Sequence, residues 1–280
     1  TIWGGTVWAW GYNGVGQLGD GTIADRFSPV QVSNGLDNIV QVAGGQAHTI
    51  ALANDGTVWA WGYNASGQLG DGTTTDRHIP VQVTGLTGVI AVAAGYWHSI
   101  ALQNDGSVWA WGANYQIGYD PTVDQATPVR VTGLSNVVRV AAGEGLSIAL
   151  KGDGTVWTWG LNYAGQLGDG TTIDRYTPVQ VSGLGGVEYI AGGGGHAIAV
   201  RNDGTVWAWG VNYFGQLGDG TTTERHVPVQ VAGLANVSSV EGGWQHTIAL
   251  TSSGTVWAWG LNSAGQLGDG TTTFNRDMPV

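Results

Sequence analysis

Hydrophobic residues in this chain come in runs of four or five, separated by glycine-rich turns, and the order of the runs recurs about every fifty residues. Within 39–83 the runs are Ile39-Val40-Gln41-Val42, His48-Thr49-Ile50-Ala51-Leu52, Thr57-Val58-Trp59-Ala60-Trp61 and Pro80-Val81-Gln82-Val83. They are rich in β-branched and aromatic residues and several alternate with period two. No window carries a helical period, so each run is predicted to be a strand. Gly44-Gly45, Asn54-Asp55-Gly56 and Gly70-Asp71-Gly72 supply the turns. Four short strands per unit, repeated end to end, predict an all-β chain: a β-propeller of four-stranded blades, six to seven in number.

The repeats leave no room for a linker, so 1–280 is read as a single repeat domain. Five complete units are expected, at 39–83, 89–131, 137–181, 187–231 and 237–280, with a partial one at 1–32. Gly4-Gly5 reads as a two-residue hairpin turn within Thr1–Val7. Five whole units and one part-unit leave unpaired strand edges, which leads us to expect a segment of a longer array.

One run stands out in every unit. The pairs Trp8/Trp10, Trp59/Trp61, Trp109/Trp111, Trp157/Trp159, Trp207/Trp209 and Trp257/Trp259 lie 48 to 51 residues apart. Alternation puts both rings of a pair on one face and the small residues on the other. Large rings facing small residues interdigitate between blades, so all twelve are expected in the core. Each would bury roughly 150–250 Å², or about 4–6 kcal/mol gross.

Composition narrows the function classes. Net charge is −11 with one lysine, Lys151, and no basic cluster, which argues against nucleic acid and anionic membrane. A protein partner with a basic surface suits this charge. Cysteine is absent, which excludes disulfides and thiolate chemistry. Few lysines and no thiols are compatible with an exported bacterial protein, extracellular or at the cell surface.

Residues that could carry chemistry recur at fixed positions, which favours scaffold roles over an active site. His48, His98, His196 and His246 open the second run of their units, where Leu146 stands in the third complete unit. Equivalent positions in a propeller are too far apart to share a metal, so these are expected to be buried histidines bonded to backbone carbonyls. The Asp20/Asp25, Asp71/Asp76, Asp169/Asp174 and Asp219/Glu224 pairs are too few in carboxylates for tight calcium binding, so an Asx turn plus an ion pair to Arg26, Arg77, Arg175 or Arg225 is expected. Gly14-Val15-Gly16-Gln17-Leu18-Gly19 fits the dinucleotide fingerprint, but no helix follows it and Ala65 replaces the first glycine in the next unit. Asn64 and Asn236 head Asn-x-Ser sequons. No catalytic residue, metal ligand or cofactor site is assigned.

What varies is the pair of residues before the repeated histidine position: Gln46-Ala47, Tyr96-Trp97, Glu144-Gly145, Gly194-Gly195 and Trp244-Gln245. These lie in the loop joining the first and second strands, on one face. Tyr96, Trp97, Glu144, Trp244 and Gln245 are the candidate partner-binding residues, because exposed aromatics anchor interfaces. The stretch 112–120 also departs from the pattern, losing two residues and the Gly-Asp-Gly turn.

Val42-Ala43-Gly44-Gly45-Gln46-Ala47-His48-Thr49-Ile50-Ala51-Leu52, with its counterparts at 92–102, 190–200 and 240–250, resembles the signature of the regulator of chromosome condensation repeat family. Gly-Gln-Leu-Gly-Asp-Gly-Thr at 16–22, 67–73, 165–171, 215–221 and 265–271 is its companion element. The resemblance covers essentially the whole chain and implies a propeller whose loops meet a protein partner. Known members include a nucleotide exchange factor for a small GTPase, a plant ultraviolet photoreceptor and a bacterial β-lactamase inhibitory protein. The exchange factor uses a wedge insertion, and even repeat lengths leave no place for one here. Gly243-Trp244-Gln245-His246-Thr247 is similar to the photoreceptor's element, but Gln245 stands where that element has arginine. The expected function is a non-enzymatic protein–protein interaction scaffold. The alternatives are a lectin-like propeller stacking carbohydrate on tryptophan and tyrosine, and a structural cell-surface or filament protein.

Overall fold

The computed structural model describes residues 5–33, 36–119 and 123–280, so the Gly4-Gly5 turn and the end of the 112–120 departure lie outside the described residues. The chain falls into two compact units, Thr1–Asn136 and Val137–Val280. In the first, Trp8–Gly11 and Arg26–Gln31 form a two-stranded sheet. Ile39–Gly44, His48–Ala53, Val58–Gly62 and Arg77–Gln82 form a four-stranded sheet, as do Val89–Ala94, His98–Gln103, Val108–Gly112 and Gln125–Arg130. The second unit holds three four-stranded sheets. They begin at Val137–Ala142, Val187–Gly192 and Val237–Gly242, and the last closes with the short strand Asn275–Arg276.

Each sheet is an antiparallel meander in which sequence neighbours pair. The second and third strands keep one register throughout: His48 faces Gly62 and Ile50 faces Ala60, as His196 faces Gly210 and Ile198 faces Ala208. The third and fourth strands pair across a bulge, for example between Ala60 and Gly62. Among the described residues the sole helical element is the 3-10 turn Asn114–Gln116, within the stretch that departs from the repeat.

Sheets stack large against small, as the alternation requires. Ile50, Leu52, Val58 and Ala60 are covered by Ala101 and Trp111 of the next sheet, with Val83, Leu86, Val89 and Val92 filling the gap. In the second unit Ile198, Val200, Val206 and Ala208 meet Ala249 and Trp259 in the same way.

The tryptophan pairs correct one expectation. In five of the six pairs only the second ring reaches the core: Trp61, Trp111, Trp159, Trp209 and Trp259 are at most 1% exposed. The first rings, Trp59, Trp109, Trp157, Trp207 and Trp257, are half-buried, while Trp8 and Trp10 on the two-stranded sheet are exposed. The second ring also makes a specific bond. Trp61 Nε1 donates to the Gln17 carbonyl at 2.9 Å, Trp111 to Gln68 at 2.8 Å, Trp209 to Gln166 at 2.9 Å and Trp259 to Gln216 at 2.9 Å. Trp159 Nε1 has no partner among the described residues. The first ring lies nearer the start of its strand and bonds locally, as Trp59 Nε1 does to Thr57 Oγ1 at 3.3 Å. Glycine is required where the second ring passes. Gly70 has φ +69°, and a Cβ there would lie 2.7 Å from Trp111 Nε1.

Candidate functional site

Two of the repeated histidines, His48 and His196, are buried cross-links between neighbouring sheets. His48 Nε2 lies 3.0 Å from Ser99 Oγ in the next sheet, and Ser99 Oγ donates to the Gln68 carbonyl at 2.9 Å. That hydroxyl has spent its proton, so His48 is the donor and carries hydrogen on Nε2. His196, Thr247 and the Gln216 carbonyl repeat the arrangement in the second unit. For His48 the partner is thus a hydroxyl rather than the expected carbonyl. Burial lowers the pKa of His48 to about 4, and those of His98 and His196 to about 3, so all three rings are neutral at pH 7.

The acidic loops are structural too. Asp20 Oδ1 accepts from the Thr22 amide at 3.0 Å and hydroxyl at 2.8 Å, while Oδ2 accepts from Arg26 Nε at 2.6 Å. Asp71, Asp169, Asp219 and Asp269 bind Arg77, Arg175, Arg225 and Arg276 likewise. Burial would raise the Asp20 carboxyl, yet the Thr22 and Arg26 bonds outweigh it and hold it below its usual range. The expected Asx turn and ion pair both fall on the first acid of each loop. Asp25, Asp76 and Asp174 instead accept from the Asn13, Asn64 and Asn162 amides.

Those asparagines are residues that sequence reasoning missed. Asn64 is fully buried; its Oδ1 accepts from the Leu69 amide at 2.9 Å and its Nδ2 donates to the Thr73 and Thr75 carbonyls at 3.0 Å each. It ties the whole 64–76 loop together and has no room for a glycan. The signal was its recurrence at 13, 64, 162, 212 and 262, four residues before each Gln-Leu-Gly.

The variable loops are held rigidly. Each is a two-residue hairpin turn: the Gly45, Gly95, Gly143, Gly193 and Gly243 amides bond to the carbonyls three residues on. A second bond comes from the residue after the third strand, as when Tyr63 donates to Ala47 and Leu161 to Gly145. The long connection between the third and fourth strands therefore begins on the same face as the hairpin loop.

In the first unit Tyr96 and Trp97 are half-buried, and Trp97 packs edge-on against Tyr63 with centroids 5.5 Å apart. In the second unit Glu144 and Gln245 are half-buried and Trp244 is 61% exposed. The Glu144 and Trp244 loops flank the Gly194-Gly195 loop. The Glu144 amide donates to the Gly193 carbonyl and the Gly194 amide to the Gly243 carbonyl, both at 3.1 Å. A Cβ on Gly194 would collide with the Trp244 ring, and one on Gly195 would touch the Tyr163 hydroxyl. Tyr163 and Tyr213, absent from the candidate set, stand exposed on this face. Elsewhere, two open grooves beside the first sheet are lined by residues such as Trp8, Val42, Trp10 and Thr49, without an acid or a histidine.

Against this geometry, similarity to known proteins is specific. The model of the regulator of chromosome condensation (RCC1) repeat matches residues 4–52, 55–102, 105–150, 153–200, 203–250 and 253–280. The ultraviolet-B receptor UVR8 of Arabidopsis thaliana is 44% identical over 77 residues, 27% of this chain and 18% of the receptor. Human protein RCC2 is 45% identical over 74 residues, 26% of this chain and 14% of RCC2. These matches thus span less than a fifth of either relative. Human WBSCR16 superposes with a TM-score of 0.86 at 29% identity, covering 98% of this chain and 75% of that one. Prp20p of Saccharomyces cerevisiae, a protein studied for its binding to Gsp1p and histones, gives 0.85 at 24% identity over 98% of this chain and 72% of its own. The fold is that of a β-propeller built from four-stranded blades, and the chain belongs to the regulator of chromosome condensation (RCC1) repeat family.

Proposed function

We propose that the chain is a non-enzymatic scaffold that binds a protein partner through the face bearing the hairpin loops between first and second strands. One observation carries this reading. The stacking faces, the histidine cross-links and the arginine-bound loops repeat from sheet to sheet, whereas the hairpin loops change in every one while their backbone stays fixed. A rigid frame whose connecting loops vary, with Gln46 and Trp244 exposed at their tips, suits recognition, since loops change there at no cost to the core. Among the described residues, buried histidines such as His48 and His196 and the arginine-bound aspartates are engaged in holding the fold, which supports a binding role over a catalytic one. Relatives of this fold hold protein partners, as Prp20p does with Gsp1p and histones. The charge of −11 supports a protein partner over nucleic acid. On the same composition we propose an exported or surface location.

The test is capture of the native partner by immobilised protein. Trp244→Ala and Trp97→Ala are compared with Asp55→Asn and Asp153→Asn, which alter turns at the opposite strand ends. The scaffold reading predicts that a loop-face variant loses capture at least tenfold while its thermal midpoint moves by only a few degrees. Capture that depends on Asp55 or Asp153 and ignores both tryptophans would refute it.

A further inference from the structure

We propose that Trp244, Tyr163, Tyr213, Glu144 and Glu224 in the second unit form a receptor for a guanidinium group, an arginine on the surface of the protein partner. The proposal rests on the scaffold reading and specifies what its loop face holds.

The backbone sets two aromatic rings on either side of a loop that carries no side chain. Three hairpin loops are locked side by side by the amide bonds from Glu144 and Gly194, and the middle loop, Gly194-Gly195, has no side chain. Trp244 lies against Gly194 and the Tyr163 hydroxyl against Gly195, so the two rings flank the middle loop, whose glycines are themselves buried, and present their own faces to solvent. Trp244, Tyr163 and Tyr213 are each more than half exposed. Large aromatic faces kept in water on a rigid frame bind at little entropic cost.

The charge around them is negative. The Tyr213 hydroxyl donates to Glu224 Oε2 at 3.3 Å, and Glu224 Oε1 lies 3.4 Å from His226 Nε2. Partial burial, then Glu144, Tyr213 and Glu224, raise the Tyr163 phenol; Glu224 is the main cause for Tyr213. Both tyrosines therefore sit in the field of these carboxylates. Among the described residues neither Glu144 nor Glu224 has an arginine or lysine partner, whereas Asp169, Asp219 and Asp269 each do.

The same unit shows what such rings accept. Arg139 lies 5.0 Å above the Tyr189 ring, Lys151 5.4 Å above Trp157 and Arg201 5.8 Å above Trp207. The rings of the loop face are of the same types and are left for a partner's cation. Arginine suits the patch better than lysine, because its plane stacks on indole or phenol while its edge bonds a carboxylate with two parallel hydrogen bonds.

The probe is a hexa-arginine peptide, followed by calorimetry and by Trp244 fluorescence, with hexa-lysine and a neutral oligosaccharide as comparators. We expect saturable binding, several-fold weaker for hexa-lysine, and reduced about tenfold by Trp244→Ala. The near-isosteric pair Glu144→Gln with Glu224→Gln should reduce it as much without disturbing the fold. Glu188→Gln, which removes an exposed acid elsewhere in the unit, should change it little. Equal weakening by Glu188→Gln would overturn the proposal in favour of diffuse attraction to a negative chain. So would unchanged affinity after Trp244→Ala, or an oligosaccharide saturating the Trp244 signal where hexa-arginine does not. If native capture needs the loop face but is indifferent to Glu144→Gln with Glu224→Gln, the arginine receptor falls and the scaffold stands.

Discussion

Acid should unfold this protein well before its carboxylates titrate, and the buried histidines set how far. In the folded chain His48 titrates at about 4 and His98 and His196 at about 3, against 6.5 for an exposed ring. A folded pKa below the unfolded one means that the unfolded state binds more protons between the two values. Stability is therefore complete above pH 6.5 and falls as pH is lowered toward 4. Each pH unit in that window costs about 1.4 kcal/mol per ring, so lowering pH from 7 to 5 costs about 2 kcal/mol per histidine. His48 and His98 lie in the first unit, giving about 4 kcal/mol there; His196 gives about 2 in the second, with a smaller addition from half-buried His246. The arginine-bound aspartates do not enter, because their depressed carboxyls lose their contribution only below about pH 4. Urea unfolding at pH 7 and pH 5, read by tryptophan fluorescence, measures the loss. His48→Leu, which copies Leu146 in the equivalent register, should remove about 2 kcal/mol of the pH dependence. Equal stability at pH 5 and pH 7, or histidine resonances of the folded chain titrating near 6.5, would refute the reasoning.

The two tryptophans of a pair should separate cleanly: Trp209→Ala costs about 3–5 kcal/mol as a core cavity with an orphaned Gln166 carbonyl, and half-buried Trp207→Ala about 1–2, by denaturant midpoint. Asn64→Ala leaves the Leu69 amide and the Thr73 and Thr75 carbonyls without their partner, so about 2–4 kcal/mol is expected, and expression in a glycosylating host should leave Asn64 unmodified by mass. Arg77→Ala strands the largely buried Asp71 carboxylate and should cost about 1–3 kcal/mol, with Arg77→Lys recovering only part because the two-pronged bond is lost. Since arginine already occupies these carboxylates, thermal midpoints with calcium and with chelator should agree within a few degrees.

The strands and their grouping were legible in the sequence because both signals are local: period-two runs such as Val58–Trp61, and turn glycines at fixed offsets. The inequality within each tryptophan pair was not. Trp59 and Trp61 share a face, and only the path of the neighbouring Gly-Gln-Leu-Gly loop decides which ring it covers. Bonds between His48 and Ser99, fifty-one residues apart, depend on how sheets stack, which alternation does not encode. Asn64 stood out only as the head of a sequon, because its hydrogen bonds close around a loop that no periodic pattern marks. On the loop face, Glu144 and Trp244 were legible as departures from an otherwise repeated unit. Tyr163 and Tyr213 were not, since they lie in the connection after the third strand and reach that face through the backbone bonds that bring the two loops together.

Hydrogen exchange on the free protein and on its complex with the native partner tests the central claim most directly. The scaffold account predicts slowed exchange in the complex at the hairpin loops, foremost 144–145, 194–195 and 244–245, and at the adjoining Tyr163 and Tyr213. Protection confined instead to the turns at the opposite strand ends, 54–56, 104–106, 152–154 and 202–204, would contradict it.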